Sequence, residues 1–451
     1  MESKTEVKLS RKNFLRKSAI GLTGLSFANG LFPVVGKTNN GPLAINKENM
    51  ISGDTYKIKN VRLETGFEYE NGEVVGTKTK LFTVEIASGK IKQVHRNQPQ
   101  GEGVDGNGLL MLPAFKDMHI HLDKTLYTER WRAVRRIGGV KEMIELEQRT
   151  MRDLLKNSTY KAEKLIELLQ SFGSSFARSH VNIEPTSKLD ALKNLEQALA
   201  NKKDTFGAEL VAFPQHGLYY TESLPYMEEA AKMNIDYIGA LDPYTIDGAI
   251  ERTMDTTIRL ALDHHKGIDM HLHEAGESGI RTIEYLIAKV LENPVLKSKT
   301  FVSHAFALGA ISKGKQEELA EQLAEAQIGI VSTVPFGNLV MPIPILMEKG
   351  VQVTVGNDSI VDYWSTMGTG SVLQKANLAA QLYGYTSEFG LSRMLKLATA
   401  GATPLDDKGA IQWPKVGDEA SIVLIDASCS AEAVSRISPV KSLVYKGNKV
   451  Y

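Results

Sequence analysis

Residues 113–125 read Pro-Ala-Phe-Lys-Asp-Met-His-Ile-His-Leu-Asp-Lys-Thr. The apolar run that begins at Met111 predicts a strand ending at His119. His119 and His121 stand two residues apart, and on an extended chain such residues share a face. Two neutral imidazoles aimed the same way suit a borderline ion such as zinc or ferrous iron. Alone, a His-x-His pair is weak, because two strand histidines can meet by accident. Its weight comes from what lies downstream.

Seven more apolar runs follow, at 179–184, 209–215, 237–242, 269–273, 300–304, 328–334 and 351–357. Helical periodicity fills the spaces between them, for example at 141–169, 189–200, 315–326 and 371–382. Eight strands alternating with helices or connectors over 113–404 predict an α/β protein with a (β/α)8 TIM barrel. The alternative is an open doubly wound sheet. Against it, no Gly-x-Gly-x-x-Gly run follows the first strand. Outside the barrel the texture is β-like, with short alternating runs at 56–63, 81–86, 91–95, 109–112, 421–425 and 442–445. Asn71-Gly72 and Ser88-Gly89 mark turns between them. Residues 55–112 and 405–451 are therefore expected to form one small β-sandwich domain from both chain ends.

The whole chain has 451 residues, 42% hydrophobic and 24% charged, which is ordinary globular usage. Lys plus Arg and Asp plus Glu both number 53. A chain with no net charge carries no electrostatic footprint for nucleic acid or an anionic membrane. Cys429 is the one cysteine. A disulfide within the chain and a thiolate metal cluster are both excluded, so any ion must be held by His, Asp and Glu. Residues 10–17, Ser-Arg-Lys-Asn-Phe-Leu-Arg-Lys, precede a glycine-broken apolar stretch. A basic start, a short apolar middle and small residues read as an export signal over 1–36. Ser-Arg-Lys-x-Phe-Leu is similar to a twin-arginine signal with lysine in the second arginine position, which implies the export machinery as a partner and a periplasmic location. A disordered or amphipathic N-terminus is the bland reading, and the protein is then cytoplasmic. Residues 37–54 look like a polar linker.

Five of the ten histidines fall at the C-terminal ends of the predicted strands: His119, His121, His271, His273 and His304. Asp358 ends the eighth. Barrel enzymes place their chemistry on that face. Two histidines from the first strand, one from the fifth and a carboxylate from the eighth can converge on one ion.

These residues carry a resemblance. The 113–125 motif resembles the metal motif of the amidohydrolase superfamily, and more narrowly its cytosine deaminase and N-isopropylammelide isopropylaminohydrolase branch. The likeness runs from about residue 55 to 451. It takes in Phe213-Pro-Gln215, His271-x-x-Glu274, Ser303-His304, Gly356-Asn-Asp358, the helix end Leu397-Ala-Thr-Ala-Gly401 and the exit from Lys415 to Asp426. It implies that His119, His121, His271 and Asp358 hold a single divalent ion, zinc or iron. It further implies that Asp358 accepts a proton from the attacking water and that Glu274 moves a proton to the substrate ring. His304 would steady the attacking oxygen and Gln215 would hydrogen-bond the substrate. Binuclear members use a strand-four lysine, and 235–247 contains none. Strand five reads His271-Leu-His273-Glu274, where cytosine deaminases have Cys-Asp between His and Glu. Ser359 stands where they place an aspartate for the exocyclic amine, and it is expected to bind the substrate through a neutral hydroxyl suited to a carbonyl.

Several residues keep two readings. Lys124 reaches the substrate or is a solvated lysine near the mouth. His273 shares the face of His271 and is a substrate contact or a support to the ligands. His216 and Asp242 line the site or cap turns. His180 reads as a packed strand residue. The expected function is metal-dependent hydrolysis of a non-peptide C–N bond in a pyrimidine- or triazine-like heterocycle, by deamination or dealkylamination. The rivals are a ring-opening cyclic amidase and a catalytically silent ligand-binding barrel. A homo-oligomer is compatible with the sequence.

Overall fold

The computed structural model describes residues 55–133 and 138–451; the expected export signal and linker lie outside them. The described chain begins as a long hairpin, β1 (Thr55–Glu70) and β2 (Glu73–Ala87), paired antiparallel. Asn71 and Gly72 join them with φ of 50° and 86°, the left-handed pair that a two-residue hairpin turn requires. Both strands run further than the sequence alternation marks. β3 (Lys90–Arg96), β4 (Val104–Asp105) and β5 (Leu110–Pro113) follow.

The chain then enters a second sheet of eight parallel strands: β6 (Phe115–Ile120), β7 (Ser174–Asn182), β8 (Gly207–Phe213), β9 (Tyr237–Ile238), β10 (Gly267–His271), β11 (Thr300–Ser303), β12 (Ile328–Ser332) and β13 (Val353–Val355). Each pairs with the next in chain order. The ring closes where Asp358 N donates to His119 O at 2.7 Å and His121 N donates to Asp358 O at 2.9 Å. Gly356 allows this, since a Cβ there would lie 2.4 Å from His119 O. The expected TIM barrel is thus present, with its first and last strands joined beside the candidate ligands.

One expected helix is two. The 141–169 pattern divides at Asn157 into α1 (Val140–Leu155) and α2 (Ser158–Ser171). α2 packs in the conventional place on the barrel wall, with Leu165, Ile166 and Leu169 in the main core. α1 goes elsewhere. Its Ile144 packs with Phe213, Leu241, Ile246 and Trp364, which end β8 or follow β9 and β13. Its Met151 and Leu154 pack with Leu126, Val361 and Tyr363. α1 therefore lies across the C-terminal mouth of the barrel.

The chain returns to the first sheet through β14 (Ile422–Ile425), β15 (Val440–Tyr445) and β16 (Asn448–Lys449), in the order β16-β15-β14-β5-β1-β2-β3. The expected sandwich is one continuous sheet curled over its own core. Its β3 edge is bonded to the approach to β14, with Ile91 N donating to Asp418 O at 2.8 Å and Ala420 N to Gly89 O at 2.8 Å. Ile58, Val61, Val84, Ile86, Met111 and Ile422 fill the interior. Cys429 is buried.

Candidate active site

Strand pleating puts His119 and His121 on the inward face of β6 and at its exit, and both are buried. His271 ends β10, His304 follows β11 and Asp358 follows β13. The four donors of His119, His271, His304 and Asp358 lie within 4.8 Å of one another. His121 joins them: its Nε2 is 3.4 Å from His271 Nε2 and 3.5 Å from Asp358 Oδ1. His119 Nε2 lies 3.4 Å from the same oxygen. Two donors each about 2.1 Å from a tetrahedral ion stand about 3.4 Å apart. Those three spacings match donors to one ion, which this five-residue cluster could hold, and His119 Nε2 is buried with no hydrogen-bond partner.

Protonation favours the same use. Burial lowers His121 to about 4. Burial, followed by the crowding of neighbouring imidazoles, holds His271 and His304 well below the usual histidine range. Burial would lift Asp358, but His119, His121 and His304 keep it well below the carboxylate range. Neutral imidazoles and an ionised carboxylate are the forms that bind a divalent ion. Behind His119, Ser303 Oγ sits 2.8 Å from Nδ1 and donates to Asp269 Oδ1 at 2.7 Å. Ser303 spends its proton on Asp269, so it accepts from His119 Nδ1–H, and the Nε2 lone pair faces the ligand cluster.

Glu274 comes from the loop after β10. Tyr244 N and Thr245 N donate to its Oε1 at 3.0 and 2.8 Å, which leaves Oε2 buried and unbonded. Asp242 orients the same loop: its Oδ1 accepts from His273 N at 2.6 Å and from Glu274 N at 3.2 Å, and its Oδ2 lies 2.9 Å from His273 Nδ1. Burial would lower His273, but Asp242 raises it. Of its two readings Asp242 takes the capping one, bonding the loop that carries His273 and Glu274. His273 stacks 4.3 Å from His304.

The opposite side of the mouth carries Lys124 and Gln215. Lys124 is buried, not solvated, and its Nζ donates to Gln215 Oε1 at 2.5 Å. The Gln215 amide is thereby turned so that its NH2 is the end left to donate. Ser359 Oγ donates to Asp362 Oδ2 at 2.6 Å, and Asp362 also accepts from Trp364 N and Ser365 N. Ser359 thus anchors the loop that carries Trp364, whose indole has the Lys124 ammonium 5.4 Å from its ring centre. His180, read as a packed residue, is fully buried with its ring 4.1 Å from that of His119 and neither nitrogen bonded. Glu147, Trp364 and Asp269 give no motif, because their partners are distant in sequence.

The sequence and the fold match known proteins. The amidohydrolase family profile matches residues 225–451. The chain is 46% identical over 450 residues to the uncharacterized protein YahJ of Escherichia coli, covering 98% of both chains. The chain belongs to the amidohydrolase family. Among solved structures, N-isopropylammelide isopropylaminohydrolase from Burkholderia multivorans superposes with a TM-score of 0.76 at 24% identity, over 88% of this chain and 98% of that one. 5-Methylcytosine deaminase from Klebsiella pneumoniae gives 0.70 at 23%, over 88% and 97%. The fold is theirs, and the chain is a hydrolase acting on C–N bonds.

Proposed function

We propose that this hydrolase releases ammonia or an alkylamine from an exocyclic C–N bond of an oxo-substituted pyrimidine- or triazine-like ring, using one divalent ion held by His119, His121, His271 and Asp358. One observation carries the reading: His119, His121, His271 and Asp358 bring donors to 3.4–3.5 Å of one another in three pairs, in the same barrel mouth as a carboxylate, Glu274, with one oxygen fixed by backbone and the other free. Zinc or iron there supplies Lewis acidity that brings the pKa of water from about 15.7 to about 7. The chain's own groups do the rest. Glu274 Oε2 carries a proton to the ring nitrogen, which makes the attacked carbon more electrophilic, and general acid catalysis then helps the amine depart. Asp358 is ionised and can take a proton from the attacking water. His304, held neutral within the donor cluster, would steady that oxygen.

The preference for ring carbonyls follows from donors. Lys124 and Gln215 present N–H groups, and a site built to hydrogen-bond a polar group rejects an analogue that leaves those donors unpaired. No carboxylate stands at position 359 to receive an exocyclic amine, and the Ser359 proton is given to Asp362. The test is amine release across cytosine, N-isopropylammelide, other aminotriazines and cyclic ureides. N-isopropylammelide or a related oxo-triazine turns over better than cytosine. Ureide ring opening without amine release would favour the cyclic amidase instead.

A further inference from the structure

Helix α1 buries Met143, Ile144, Glu147, Met151 and Leu154, the stripe of an amphipathic helix. Four of these are apolar. The fifth, Glu147, is a carboxylate with no exposure in the middle of that stripe. A buried carboxylate persists only where partners replace its water. Glu147 has four, from four separate parts of the barrel mouth. Lys124 Nζ lies 3.2 Å from Oε2 and His216 Nε2 lies 3.1 Å from Oε1. Asn182 Nδ2 donates to Oε1 and Trp364 Nε1 donates to Oε2. Burial would raise the Glu147 carboxyl, but Lys124 and His216 hold it well below the usual range. Glu184 completes the group, with Oε2 3.4 Å from His216 Nδ1. Glu147 and Glu184 thus face Lys124 and His216 from two sides. None of the four direct partners is among the residues read as metal ligands.

We infer that Glu147 is a positioning residue of the substrate site. Its carboxylate, carried in by α1, fastens that helix across the mouth. The same carboxylate fixes the Lys124 ammonium, through it the Gln215 amide, and the Trp364 indole, in the arrangement that meets the heterocycle. Any buried carboxylate needs several partners, so it is the identity of these four that points to a role. They include Lys124 and Trp364, which meet each other at the mouth, and Lys124 passes the constraint to Gln215. The inference rests on the reading that the mouth binds a heterocycle, so the experiment has an arm independent of turnover.

The decisive variant is Glu147→Gln, nearly equal in shape and lacking the charge. Amine release from N-isopropylammelide is followed alongside metal content and acrylamide quenching of Trp364 in a Trp131→Phe/Trp413→Phe background. Losing charged hydrogen bonds that hold the substrate-facing groups raises KM about tenfold or more while kcat stays within about threefold, because Glu274 and the ligands are untouched. Metal content is unchanged, and the Trp364 quenching constant rises severalfold as α1 loosens. Glu147→Asp, which keeps the charge, recovers part of both effects and decides the matter if Glu147→Gln does not fold. Adding Lys124→Met to Glu147→Gln restores charge balance and should quench no more than Glu147→Gln alone. Unchanged KM and unchanged quenching overturn the inference, as does a loss of metal and kcat together, which marks a merely structural carboxylate. If wild-type protein releases no amine from N-isopropylammelide, the functional reading fails for that compound and the quenching arm alone judges Glu147.

Discussion

His304 and Asp358 have φ of 68° and 65°, and Asp242 has 35°. Left-handed backbone at residues other than glycine is costly and concentrates where side chains must be aimed against local preference. All three stand just past barrel strands, and each points a functional group into the mouth or supports one that does. Glu274 shows the same economy, with one carboxylate oxygen fixed by two backbone N–H groups and the other kept free. Glu274→Gln should therefore retain the ion and the fold but lower kcat by about 10² to 10⁴, since an amide cannot carry the proton. Steady-state kinetics with metal analysis on the same sample checks this, and wild-type turnover would remove Glu274 from the chemistry. At this scale the sequence is most informative where one element supplies several groups. The i, i+2 rule marks His119 with His121 and His271 with His273. Glu147 is invisible to it, because a glutamate in a helix ordinarily reads as a solvated charge, and its partners at 124, 182, 216 and 364 come from other elements.

The joints between elements are polar. Asp117 ties the first barrel strand to the approach from the last, accepting from Asn357 Nδ2 at 2.7 Å, Asn357 N at 3.1 Å and His119 N at 3.3 Å. Burial lifts its carboxyl to about 6 against those donors. Asp117→Ala leaves them unsatisfied and should cost about 2–3 kcal/mol in urea unfolding, with weaker metal retention. His216 joins β8 to α1. Burial would lower it, but Glu147 and Glu184 hold it at about 8, above the ordinary 6.5. A histidine raised on folding stabilises fully below its unfolded pKa and loses that contribution as pH rises through its folded pKa. The window is therefore about 6.5 to 8, and the contribution is on the order of 1–2 kcal/mol. Tm should fall across that window in wild type, and His216→Gln should flatten this part of the profile. The eight barrel strands are legible because each is a short apolar run with its helix beside it. The division at Asn157 is not, since helical periodicity continues across it and only the mouth-facing contacts of α1 distinguish its two halves.

The described chain is a barrel whose mouth is crossed by α1, with a second sheet built from both of its ends. That sheet was legible as texture, while its closure by residues 417–420 onto β3 depends on hydrogen bonds that no periodicity encodes. For the N-terminal segment we propose twin-arginine export on residues 10–17. Arg11→Lys with Lys12→Gln should then leave the protein in the cytoplasm, and unchanged fractionation would remove the proposal. The account as a whole depends on one divalent ion at His119, His121, His271 and Asp358. The direct measurement is amine release from N-isopropylammelide by protein stripped with a chelator and titrated with zinc or ferrous iron. Activity should vanish on stripping and return at one equivalent per chain, and His119→Ala and Asp358→Asn should neither retain the ion nor recover. Full activity in metal-free protein, or recovery that requires two equivalents, would contradict it.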